Sequence, residues 1–147
     1  MDVIIQQTKD GEKEYVLVRC REISPEFSDL LSQIQEHDKI LSAYSGDKIY
    51  RIKPSDIYYI EAVDRRIFLY CENIVYESKQ RLYEFEQMLN ANAFMRISKS
   101  TVVNTNKIKS LSVALYGRID AILLNDEKII VSRTYAEKLK GRLSIQT

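Results

Sequence analysis

A chain of 147 residues with 45% hydrophobic content suffices for one domain, or a domain with a small extension, around a continuous core. The longest uninterrupted apolar run, Ile67 to Cys71, is far shorter than the roughly 20 residues that cross a bilayer, and the first residues lack signal-peptide character, so a soluble, cytoplasmic protein is expected. The net charge of +1 hides a division: residues 1–52 hold seven Lys or Arg against ten Asp or Glu, residues 53–147 hold fifteen against eleven, and residues 96–142 hold ten against four. A polyanionic partner fits the C-terminal half, beside the usual alternative of a solvated charged face.

In chain order, Glu14 to Cys20 is rich in β-branched and aromatic residues and predicts a strand. Ser24, Pro25 and Glu26 supply an N-cap, a first-turn proline and an early acid for a helix running to about Asp38. Phe27, Leu30, Leu31 and Ile34 form its apolar stripe, which faces its own domain or a partner. Strands are predicted over Ile40–Tyr44, Lys48–Ile52, Ile57–Ala62, Ile67–Cys71 and Ile74–Ser78, with hairpin tips near Asp64 to Arg66 and Glu72 to Asn73. The period changes over Lys79–Asn90, where Leu82, Phe85 and Leu89 share one face of a second helix. Further strands are expected over Lys107–Leu115, Arg118–Leu124 and Lys128–Val131, and Ser132 or Thr134 caps a last helix with Ala136, Leu139 and Leu143 inside.

Between the second helix and these last strands lies Arg96 to Ile108. It interleaves Arg96, Lys99 and Lys107 with Ser98, Ser100, Thr101, Asn104 and Asn106, and carries Ile97, Val102, Val103 and Ile108 as anchors. Short hydroxyl and amide donors satisfy phosphate oxygens at little entropic cost, so the stretch suits a surface that meets phosphates and base edges.

Motifs for catalysis are missing. There is no phosphate loop, dinucleotide fingerprint, nucleophile elbow or paired-histidine metal motif. Glu84 and Glu86 are two apart on a predicted helix and do not face each other. His37 is the single histidine, in a polar helix end, and Cys20 and Cys71 have neither metal-ligand nor disulfide-scaffold spacing, so they read as buried thiols. No enzymatic activity, metal, cofactor or small-molecule substrate is expected.

Three blocks in order resemble the LytTR-type DNA-binding domain of bacterial response regulators: Asp56 to Ala62, Phe94 to Asn104, and Val131 to Tyr135, with the helix from Leu82 to Glu86 between the first two. The likeness spans about residues 48 to 144, which divides the chain into an N-terminal strand-helix extension (1–45) and a DNA-binding domain (46–147). It implies a mostly β fold of elongated, stacked antiparallel sheets that binds double-stranded DNA through loops, commonly as a homodimer on tandem sites. Without a phosphoacceptor receiver, the chain is similar to small stand-alone transcriptional regulators encoded beside a membrane protein that can restrain them.

Carried onto this sequence, the resemblance puts base-reading positions at Lys99 and Arg133, and a first contact loop after Glu61 that includes Arg65 or Arg66. The chain departs from members that carry an imidazole near Ile67. Residue chemistry agrees, since Arg bonds guanine O6 and N7 together; the plainer alternatives are pairing of Arg133 with Glu137 and simple solvation of Lys99. Arg96, Ser98, Ser100, Asn104, Lys107 and Lys109 suit backbone phosphates, with Asn104 also suited to bonding its own turn. Tyr58 and Tyr59 read as core. The rival class is a non-enzymatic interaction or adaptor module docking through the Phe27 to Ile34 stripe, and RNA binding ranks third for want of an aromatic RNP signature.

Overall fold

Thr101 to Asn104, the first four of five consecutive buried residues, sit where a strand has neighbours on both faces and both edges. The computed structural model describes residues 2–36 and 39–143. They form α1 (Pro25–Glu36), β1 (Leu41–Ser45), β2 (Lys48–Ile52), β3 (Tyr59–Val63), β4 (Arg66–Tyr70), β5 (Val75–Ser78), α2 (Leu82–Met88), β6 (Phe94–Arg96), β7 (Thr101–Asn104), β8 (Ile108–Val113), β9 (Ile119–Leu123), β10 (Lys128–Val131) and α3 (Arg133–Arg142). The mostly β expectation holds. One antiparallel sheet runs in the order β2-β1-β5-β4-β3-β7-β6 and a second in the order β10-β9-β8.

The two sheets enclose separate cores because strand residues alternate between faces. On one face of the large sheet, Ile60 of β3, Phe94 of β6 and Val102 of β7 pack with Leu82, Phe85 and Leu89 from α2 and the residue after it. On the other, Tyr59, Met95 and Val103 pack with Ile119, Ala121, Leu123, Ile129 and Val131 of the small sheet and with Ala136 and Leu139 of α3. Tyr59 and Tyr70 stack with ring centroids 4.1 Å apart, confirming the tyrosines of the first block as core. Burial and the nearby Glu127 carboxylate push the Tyr59 hydroxyl far above its ordinary range, so it remains a neutral donor.

Local chemistry sets the helix starts. Ser24 Oγ accepts from the Phe27 amide at 3.3 Å at the head of α1, and Glu84 reaches back to the Arg81 amide at 3.2 Å at the head of α2. At α3, Ser132 occupies the cap position without a side-chain cap bond, and its carbonyl accepts from Ala136.

Several expectations need correction. Glu14 to Cys20 forms no strand: β propensity alone does not order a segment without a partner edge, and this one is exposed almost throughout. Cys20 is therefore exposed, and Cys71 only half-buried. Phe94–Arg96 and Thr101–Asn104 are strands within what the sequence suggested was one long contact surface. The division at residue 45 leaves β1 on the N-terminal side, although it pairs with β2 and β5 inside the large sheet. The α1 stripe is only partly covered, with Leu30 and Ile34 exposed. His37 and Asp38 lie outside the described residues. Among those described, no helix is long and apolar enough to cross a membrane.

Phe85 is fully buried where α2 meets the large sheet. Phe85→Ala is expected to lower unfolding free energy by about 3–5 kcal/mol, read as a shift of the urea midpoint.

Candidate nucleic-acid interface

Three connections separated in sequence end at one end of the molecule. The first is the two-residue turn Asp64-Arg65 between β3 and β4, where Val63 faces Arg66. Both turn residues have positive φ, 50° and 63°, the geometry that matches the twist of a tight hairpin and that only Gly, Asn and Asp adopt readily. It leaves Arg65 exposed at the tip, with no ion pair among the described residues.

The second is Ile97 to Ser100, between β6 and β7. Ile97 is fully buried and its amide donates to the Thr101 carbonyl, which closes the loop at its base. Ser98 Oγ accepts from the Ser100 amide at 3.2 Å, so this hydroxyl shapes the tip. Lys99 is exposed there. Beneath it, Arg96 pairs with Glu86 of α2 and donates from Nη1 to the Lys99 carbonyl at 2.5 Å. Arg96 thus braces the loop that presents Lys99, and its guanidinium is already engaged.

The third is Ser132-Arg133, where β10 enters α3. Arg133 is exposed, and the anticipated partner Glu137 instead pairs with Lys140 at 3.3 Å. Gly117 lies against the Arg133 stem: at φ +73° it adopts a backbone that L side chains rarely take, and a Cβ there would stand 2.8 Å from Arg133 Cγ. Sequence reasoning missed this seat. Its only trace was a glycine in a predicted turn, and the close approach comes from a residue sixteen positions away.

Backbone hydrogen bonds join the three. The Ala62 amide donates to the Ser100 carbonyl at 2.8 Å, and the Ser132 amide donates to the Ile97 carbonyl at 2.9 Å. The loop carrying Lys99 is therefore bonded on one side to the strand leading to Arg65 and on the other to the residue before Arg133. Arg65, Lys99 and Arg133 form a cationic end on rigid strand termini, with the first-turn amides of α3 beside it. Arg66 also reaches this end, but pairs with Glu77 of the neighbouring strand and lies over the Phe68 ring at 5.2 Å.

The remaining expected phosphate contacts are elsewhere. Asn104 is 2% exposed; its amide group donates to the Ile57 carbonyl at 2.9 Å and accepts from the Asn106 amide at 3.1 Å. It is a structural residue. Lys107 precedes β8, whereas Arg133 sits beyond the other end of that strand's partners, so six residues of strand, about 20 Å, intervene. Lys107 lies over the Tyr58 ring at 5.1 Å, and Lys109 pairs with Asp126 at 3.0 Å in the far turn. Composition put these cations in one patch; antiparallel strand direction separates them.

Comparison with known proteins finds that residues 47–144 match the family model of the LytTr DNA-binding domain. The sensory transduction protein LytT of Enterococcus faecalis is 30% identical over 99 residues, covering 67% of this chain, and the chain spans only 41% of that relative's length. An HTH-type transcriptional regulator of Staphylococcus aureus is 28% identical over 135 residues, covering 90% of this chain and 91% of the relative. Among the described residues here, strands separate each helix from the next. A solved LytTr DNA-binding domain from Bacillus cereus superposes with a TM-score of 0.68 at 26% identity, covering 72% of this chain and 97% of that one.

The buried roles are measurable without a ligand. Asn104→Ala orphans the Ile57 carbonyl and the Asn106 amide and is expected to lower stability by about 1–3 kcal/mol in urea unfolding. Burial and nearby Asp56 push the Cys71 thiol up to about 11, against the smaller opposing effect of Lys107. A thiolate is the reactive form, so at pH 8 alkylation is expected at Cys20 and slower by about tenfold or more at Cys71 until urea unfolds the chain, as peptide mass spectrometry will read. Because this thiol's pKa is raised on folding, its contribution to stability is present below pH 9 and is lost as pH rises from about 9 to 11.

Proposed function

Because the chain belongs to the LytTR DNA-binding domain family, a family of transcription regulators, we propose that it reads specific duplex DNA by placing loop side chains in the major groove. The observation that carries this reading is the convergence of Arg65, Lys99 and Arg133, three exposed cations on three connections joined by backbone hydrogen bonds. A guanidinium at such a tip can bond guanine O6 and N7 together, while an ammonium contacts either acceptor. Strand ends hold these positions more rigidly than a free loop would, and base discrimination depends on that geometry. Ser98 and Ser100 flank Lys99, and the amides at the start of α3 flank Arg133; these suit phosphate oxygens that fix register.

The same reading includes a homodimer on tandem sites. The partly covered α1 stripe, with Leu30 and Ile34 exposed, suits the second copy. Restraint by a membrane protein encoded nearby is the proposed means of control. An adaptor role uses the same stripe, but gives no account of why three exposed cations gather at one end of the strands.

Selection of bound genomic fragments followed by titration of a selected duplex tests the reading. Arg133→Ala is expected to reduce affinity for the selected duplex by about tenfold or more while changing random-duplex affinity far less, a difference of roughly 1–3 kcal/mol. Lys107→Ala, at the far end, is expected to leave both within about twofold, as typical of a residue making no phosphate contact. Affinity should fall steeply with added salt; a flat response, or no selected fragment at all, would remove duplex binding.

A further inference from the structure

The turn between β8 and β9 presents apolar side chains where a soluble surface ordinarily hides them. Val113 and Leu115 are each 77% exposed and Tyr116 is 82% exposed, the latter at φ 60° and ψ 33°. A single exposed apolar residue needs no explanation, but three within four positions at one hairpin tip form a patch. Tyr116 has no ring partner among the described residues, and the left-handed backbone at Tyr116 and Gly117 turns the tip outward.

Position says what covers it. Val113 faces Ile119, and Ile119 faces Val131, so the tip lies at the end of the small sheet from which Arg133 emerges. Gly117, inside the same tip, is the seat of the Arg133 stem. The apolar turn is thus continuous with the cationic end. Charge points the same way at this end: Arg118 follows the tip and Arg96 and Lys99 stand in the neighbouring loop, within a stretch, residues 87–119, that contains no Asp or Glu and whose other cations, Lys107 and Lys109, lie at the far end. Arg118 is exposed at the base of the tip, without an ion pair among the described residues. A local excess of cations favours a polyanion over a protein partner of mixed charge.

We infer that Leu115, Tyr116 and Arg118 form a fourth DNA-contact element, in which the apolar tip lies against the sugar faces of the duplex beside the base reached by Arg133 and Arg118 meets a phosphate. This rests on the reading of Arg133 as a DNA contact. The tip adds affinity by excluding water from apolar deoxyribose edges, and through Gly117 it fixes where Arg133 enters the groove.

The test is titration of a selected genomic duplex with the full chain, carrying either L115S/Y116A or R118A, at several salt concentrations. Circular dichroism serves as a folding control, since the replaced side chains are exposed. L115S/Y116A should weaken binding by about tenfold with an unchanged salt slope, because no ion contact is lost. R118A should reduce the slope by about one ion. Hydroxyl-radical footprinting should show sugars next to the Arg133 contact losing protection in L115S/Y116A.

Unchanged affinity in both variants, with Arg133→Ala still impaired, would overturn the fourth element and leave the DNA-reading proposal standing. If the wild-type chain binds no duplex, both fall. Should L115S/Y116A instead abolish self-association in sedimentation while a monomer keeps its full footprint, the tip belongs to a second copy and the inference is overturned.

Discussion

Burial of β7 on both faces is the constraint from which the rest of the arrangement follows. Val102 and Val103 are both 0% exposed yet point into different cores, one shared with α2 and the other with the small sheet and α3. Full burial of each is worth about 1.5–3 kcal/mol, and a one-residue slip would exchange their surroundings and move every neighbour with them. Register is thereby locked across β3, β7 and β6. Asn104 locks it at one end through its bond to the Ile57 carbonyl, and Ile97 locks it at the other. The Lys99 loop is the short connection left between fixed ends.

Charge is then sorted by what each side chain can reach. Arg96 is held by Glu86 and the Lys99 carbonyl, Arg66 by Glu77, Lys109 by Asp126 and Lys128 by Asp120. Exposed pairs of this kind add little to stability, about 0–1 kcal/mol each, but they decide which cations remain available for a polyanion. Arg65, Lys99, Arg118 and Arg133 form no such pair among the described residues, and all stand at turns or strand termini on one end. The paired cations brace this end or lie elsewhere on the strands. A binding surface that keeps its charges uncommitted loses no internal bond when it meets phosphate or base.

Much of the scaffold was legible because alternation and turn chemistry are local signals. Lys48–Ile52 and Lys128–Val131 appear with the predicted bounds, and the other strands from β1 to β5, β8 and β9 within a few residues of theirs. Where sequence reading failed, context had the deciding role. Glu14 to Cys20 has strand composition but no edge to pair with. Thr101 to Asn104 looked like part of a surface because small polar residues flank its two valines, yet its hydroxyl and amide groups are buried. Seats such as Gly117 under Arg133 depend on long-range proximity, which one sequence does not express.

By itself the sequence determined the three helices and every strand except β6 and β7, the acidic-to-cationic division, and, through three ordered blocks, the family and the identity of Lys99 and Arg133 as contact candidates. These are properties of residue type and local spacing. Only the tertiary structure decided that Arg65, Lys99 and Arg133 share one end, that Asn104 is internal, that Lys107 and Lys109 face the other end, and that an apolar turn adjoins Arg133. The physical reason is strand direction: antiparallel pairing sends neighbouring turns to alternate ends of a sheet, so residues close in sequence part and distant ones meet.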